Sequence, residues 1–131
     1  MTVSVAGSLE LVDESGLLTL VTTTAAGGEV VITAIGDIDL SSAPAFDACL
    51  ADGLDLPGCR TLIVDLCGVL FLGARAGGSL GEARERADRC HLRFSVVADT
   101  RGVLRALYST AANGVAVFPT VSAARAATAA S

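Results

Sequence analysis

TLIVDLCGVLFLGARAGGSLG, residues 61–81, reads as strand, loop and helix start in immediate succession. Thr61 to Leu66 is a β-branched and aliphatic run broken only by Asp65, as in a buried strand. A second apolar knot, Val69 to Leu72, follows Cys67-Gly68. Gly73, Gly77, Gly78 and Gly81 come next, and each disfavours helix by roughly 1 kcal/mol relative to Ala. Ser79 with Glu82 three residues later forms a capping box. The pattern therefore predicts a long, loose loop over 73–78 and a helix beginning near Ser79. Loop atoms and free helix N–H groups converge at such a junction, so the working surface is expected there.

Outward from this stretch, apolar strand runs alternate with capped amphipathic segments. Leu17 to Thr23 and Glu29 to Ile35 read as a hairpin joined by residues 24–28. A turn over 36–44 leads, with a serine before Pro44, into a helix over 44–55 whose Phe46, Cys49, Leu50 and Leu54 share a face. A helix over 79–89 precedes a strand from Cys90 to Ala98, in which Leu92, Phe94 and Val96 alternate against outward Arg93 and Ser95. A helix over 101–110, a short strand over 115–118 and an alanine-rich helix over 121–130 complete the chain. Residues 1–16 read as an N-terminal arm or an extra edge strand, and 17–131 as one domain. The order implies an α/β fold with about five mostly parallel strands and four helices.

Composition narrows the function classes. All nine basic residues are arginine, and the net charge of −5 is unevenly spread. Residues 1–65 carry ten acids and one arginine, while 66–131 carry four acids and eight arginines. That dipole suits a protein partner better than nucleic acid, which calls for basic excess and exposed aromatics. The longest apolar stretch, Leu66 to Ala74, is far shorter than a bilayer needs, and the first residues lack a secretory signal pattern. A cytoplasmic protein with reduced thiols at Cys49, Cys59, Cys67 and Cys90 is expected. If any disulfide forms, Cys59–Cys90 is the expected pair, because both stand just before strands that should be parallel neighbours.

Catalytic motifs fail on inspection. Gly77-Gly78-Ser79-Leu80-Gly81 matches a nucleophile elbow, but His91 is the single histidine and has only a local acid, Asp88, to orient it. Asp37-Ile38-Asp39 lacks the glycine and glutamate of a calcium loop and reads as turn chemistry, with Asp39 near a helix N-terminus. The cysteines have no zinc spacing, and Gly73 to Ser79 has no P-loop lysine. Neither a metal nor a cofactor is expected, and neither is enzymatic activity.

With Gly36-Asp37-Ile38-Asp39-Leu40, Ala43-Pro44, Leu62 to Leu66, Gly68-Val69, Phe71-Leu72 and Phe118-Pro119, the chain resembles a STAS domain. More narrowly it is similar to bacterial anti-sigma factor antagonists over about residues 17–130. The resemblance implies a small non-enzymatic regulator of transcription that binds an anti-sigma factor of the ATPase, serine-kinase type and so frees a sigma factor. In the family the partner phosphorylates a serine of an Asp-Ser-Ser-Gly motif at the start of the second helix. Aligned through Phe71-Leu72, that motif falls on Gly73-Ala74-Arg75-Ala76, so the phosphoacceptor position is Ala74, which has no hydroxyl. The implied partner-binding residues are Asp37, Asp39, Ser41, Gly73, Ala74, Arg75, Ala76 and Ser79. Ser79 reads first as an N-cap and second as a substitute phosphosite. Two alternatives stay open: a STAS module that holds a nucleotide or other anion with Arg75 and the N–H groups near Ser79, and a degenerate STAS scaffold subunit. No nucleic-acid or membrane partner is expected, and a homodimer is left open.

Overall fold

The computed structural model describes residues 7–12 and 16–129. Among these residues six strands form one sheet in the sequential order β1 to β6: β1 Gly7–Val12, β2 Leu18–Ala25, β3 Glu29–Ile38, β4 Thr61–Leu72, β5 Arg93–Val97 and β6 Val117–Phe118. Four helices join them: α1 Ala43–Asp55, α2 Ala74–Arg89, α3 Arg101–Tyr108 and α4 Val121–Ala129. The five expected strands and four helices are present, with β3 to β6 parallel and the β2–β3 hairpin antiparallel. The sixth strand, β1, lies antiparallel along β2. The rest of the 1–16 stretch, residues 1–6 and 13–15, lies outside the described residues, as does residue 130, where the tail helix was expected to end. Among the described residues no helix is long and apolar enough to cross a membrane.

Alternation along the strands divides the core. Leu18, Leu20, Ile32, Leu62 and Val64 face one side, where they pack with Phe46 and Leu50 of α1, Leu80 of α2 and Leu107 of α3. On the other face Ile63 and Val97 meet Ala124 of α4, with Phe118 and Val121 beside them. An ion pair from Arg125 to both carboxylate oxygens of Glu29 ties α4 back to β3 at 2.8–2.9 Å. It is exposed, so packing rather than charge holds the helix.

Two expectations change here. The apolar runs 61–66 and 69–72 form one twelve-residue strand rather than a strand and a separate knot. β3 is long enough to pair with all of it, and β4 absorbs two extra residues as bulges. Thr33 stands opposite Asp65 but Ile35 opposite Gly68, and Gly36 opposite Val69 but Asp37 opposite Phe71. At the first bulge the Cys67 N–H turns onto the Asp65 carboxylate at 3.0 Å.

Ser95, expected to point outward, is only 6% exposed. It shares the face of Ile63 and Val97 that α4 covers, and its hydroxyl has no hydrogen-bond partner among the described residues. A buried hydroxyl left unpaired costs about 1–3 kcal/mol. Ser95→Ala should therefore raise unfolding stability by about 1 kcal/mol in urea titration; a loss of stability would mean that the hydroxyl has a partner.

Candidate functional site

The C-terminal ends of β3 and β4 carry two turns that meet. Ile38 and Leu72 are paired in register, and the Gly73 N–H donates to the Ile38 carbonyl at 2.9 Å. The strands therefore release residues 39–42 and 73–75 side by side. Upstream, Gly36 takes φ of 118°, and a Cβ there would strike the Leu17 carbonyl, so glycine alone lets β2 and β3 close this end. The next residue, Asp37, donates its N–H to the same Leu17 carbonyl at 3.1 Å and faces Phe71 across the ladder.

The 39–42 turn is organised by one carboxylate. Asp39 Oδ1 accepts from the Ser41 hydroxyl at 2.7 Å, the Ser41 N–H at 2.9 Å and the Ser42 N–H at 3.1 Å. Buried Ser42 completes the turn, accepting the Asp39 N–H at 3.0 Å and donating to the Asp37 carbonyl at 2.9 Å. The Asp39 carbonyl then accepts the Ala43 N–H at the start of α1. Serine is at the N-cap, as expected, in Ser42, but it makes no side-chain cap bond and belongs to an aspartate-centred turn, with Pro44 in the first helical turn. The Ser41 hydroxyl, and after it the Ser42 N–H, hold the Asp39 carboxyl below the ordinary 3.8.

On the other side, α2 begins at Ala74 with Gly73 as its N-cap, five residues before the expected start at Ser79. The reason lies in packing. A Cβ at Gly77 would collide with the Thr110 side chain, and one at Gly81 would lie 2.5 Å from the Ala111 carbonyl oxygen. The glycines that weaken the helix locally thus let the turn after α3 lie directly on it, and tertiary contact overrides propensity. Ser79 is consequently buried in the helix, where its hydroxyl donates back to the Arg75 carbonyl at 3.3 Å. It is neither an N-cap nor an accessible phosphosite. Ala76 is buried too, so both residues drop out of the expected contact set.

Of the six that remain, five come together, while Asp37, on β3 opposite Phe71, is outside the cavity lining. Asp39, Ser41, Gly73, Ala74 and Arg75 line one cavity of about 620 Å³, whose two apolar walls, Leu40 and Phe71, were not among the expected site residues. Leu40 is 79% exposed, Phe71 54% and neighbouring Leu70 85%. Leu17 and Ile35 are also exposed at this end, Ile35 opposite Gly68 and Leu17 against Gly36. Five of the six large apolar side chains exposed among the described residues therefore gather here; only Tyr108 stands apart. The missed signal was the pair of bulges, which turn Leu70 and Phe71 of an apolar run outward.

The cysteines form no second site. All four are free. The register that sets Thr61 opposite Arg93 puts His91, not Cys90, across from Cys59 when carried back two residues. Cys90 instead ends α2 as its C-cap, and Cys59 turns toward the Thr61 carbonyl, so the expected pair is unbridged. Burial raises the Cys49 and Cys59 thiols, while burial with Asp65 and Asp99 pushes Cys67 up to about 12. Such thiols stay protonated and are weak nucleophiles. His91 is exposed in the turn before β5 at φ of 59°.

A model of the STAS domain family matches residues 19–124, and the chain belongs to that family. Its fold matches an anti-sigma factor antagonist from Mycobacterium paratuberculosis with a TM-score of 0.75 and 24% identity, covering 89% of this chain and 97% of that one. It matches the unphosphorylated anti-sigma factor antagonist SpoIIAA with a TM-score of 0.72 and 12% identity, covering 86% and 97%. The murine anion transporter Slc26a9 matches with a TM-score of 0.67 and 17% identity, over 82% of this chain and 19% of the transporter. At these identities the likeness establishes the fold. No curated protein matches the chain.

Two measurements check the site's construction. Gly81→Ala should lower stability by about 1–3 kcal/mol through the clash with Ala111, whereas Gly78→Ala, with open space around it, should raise it by up to about 1 kcal/mol. Two substitutions that both stabilise would mean that α2 is not pressed against the 110–111 turn. Ser41→Ala should move the Asp39 titration midpoint, followed by NMR, upward toward 3.8. Because the folded-state value is depressed, Asp39 stabilises the fold above the unfolded value and loses that contribution as pH falls through the folded one. The mutant and parent should therefore converge in stability at low pH.

Proposed function

We propose that this STAS protein is a non-enzymatic, anti-sigma factor antagonist-like regulator that binds a kinase-like anti-sigma factor through the end of the sheet formed by residues 38–41 and 70–75, releasing a sigma factor. The observation that carries the reading is the pair of exposed apolar side chains, Leu40 and Phe71, that wall the cavity at the start of α2, with Leu17, Ile35 and Leu70 exposed at the same end of the sheet; the family resemblance implies the partner contact there. An exposed apolar cluster of this kind on a small domain marks a protein-binding surface. Its cavity sets the apolar walls Leu40 and Phe71 beside Asp39 and Arg75, which suits an inserted protein side chain with a polar neighbour better than a free anion.

The regulation proposed differs from the family's. Ala74, at the phosphoacceptor position, is exposed at the first turn of α2 but has only a methyl group, and Ser79 is buried. The antagonist would then stay binding-competent in the presence of ATP and its partner. Incubation with ATP and a purified kinase-like anti-sigma factor from the same genome, followed by phosphate mapping and titration calorimetry, should find binding without label on residues 73–79. Phe71→Ser should weaken that binding at least about thirtyfold, as for a central apolar anchor, with folding unchanged. Failure of every such anti-sigma factor to bind, or equal binding by Phe71→Ser, would overturn the proposal.

A further inference from the structure

Arg75 breaks a local rule that nothing among the described residues compensates. It is the second residue of α2, and the first turn of that helix contains no acid. A cation there is repelled by the positive end of the helix dipole, where an acid would be stabilising. The Arg75 side chain is exposed and lines the cavity with Leu40 and Phe71. No ion pair holds it among the described residues: Arg84, Arg86 and Arg125 pair with Asp88, Asp55 and Glu29, while Arg75 pairs with none. Asp39, the acid in the same cavity, has one carboxylate oxygen engaged by Ser41 and Ser42 of its own turn.

A residue that lowers local consistency without a gain inside the fold points to a gain outside it. We propose that Arg75 is a specificity determinant of the docking surface, selecting a partner that presents a carboxylate beside an apolar side chain. The apolar side chain enters between Leu40 and Phe71, and the carboxylate takes the guanidinium fork. Arginine suits that task because its planar donors match a carboxylate and its charge does not titrate. Where the family pattern has a small serine, this chain thus presents a positive charge, so partners with a basic or neutral facing residue are rejected.

The inference rests on the proposed docking reading, and two readouts separate the two. The first needs no partner. Arg75→Glu should raise the melting temperature by about 1–4 °C, because an acid complements the start of α2. A fall would show that Arg75 is satisfied within the chain and would overturn the inference. The second uses the purified anti-sigma factor that binds the parent chain. Arg75→Glu should slow its association about tenfold, with a loss of affinity that shrinks as NaCl is raised, and a facing Asp or Glu of the partner changed to Arg should restore it. If Phe71→Ser abolishes binding while Arg75→Glu binds like the parent at low salt, the inference fails and the docking reading stands. If neither substitution changes binding, or no anti-sigma factor binds, both fail.

Discussion

Pairing of β3 with β4 along the whole of both strands is the constraint on which the site depends. A shorter pairing would end near Asp65 and leave the two following turns unrelated. Because the ladder continues to Ile38 and Leu72, the Asp39 turn and the start of α2 emerge together. The two bulges that permit this also rotate Leu70 and Phe71 out of the core, so one device both aligns the turns and creates their apolar surface. Gly36 and Gly68 serve the same end, since a side chain at either would press on the neighbouring β2 or β3 backbone.

Much of the fold was legible because its elements are locally consistent. Strand runs such as Val30 to Ile35 and Thr61 to Leu66, the Phe46–Leu54 face and the Pro44 start all declare themselves within a few residues. The start of α2 was not legible, because local propensity and tertiary packing disagree there. Gly77 and Gly81 argue against a helix in sequence and are required by Thr110 and Ala111 in space. That contact joins residues about thirty apart, and no local pattern encodes it. Ser95 misled for a related reason: alternation assigns it a face but does not say that α4 will cover that face.

The site was half legible. Asp39, Ser41, Gly73, Ala74 and Arg75 could be selected from the turn chemistry and the resemblance, and they do line a common cavity. Ala76 and Ser79 fell away once the helix advanced by a turn and buried them. Leu40 and Phe71 were hidden because an apolar run reads as core unless its register is known. The resulting surface differs from a phosphate-switched one in chemistry: a methyl where the family has a hydroxyl, a guanidinium beside it, and apolar walls around both. Such a surface is suited to stable recognition, with selectivity set by charge.

Hydrogen exchange of the chain, free and bound to the proposed partner, a kinase-like anti-sigma factor, tests the account most directly. Binding through the proposed end predicts new amide protection concentrated in residues 38–41 and 70–76, with the exposed α3 face around Tyr108 unchanged. Protection centred on α3 or α4, with 38–41 and 70–76 exchanging as in the free chain, would contradict it.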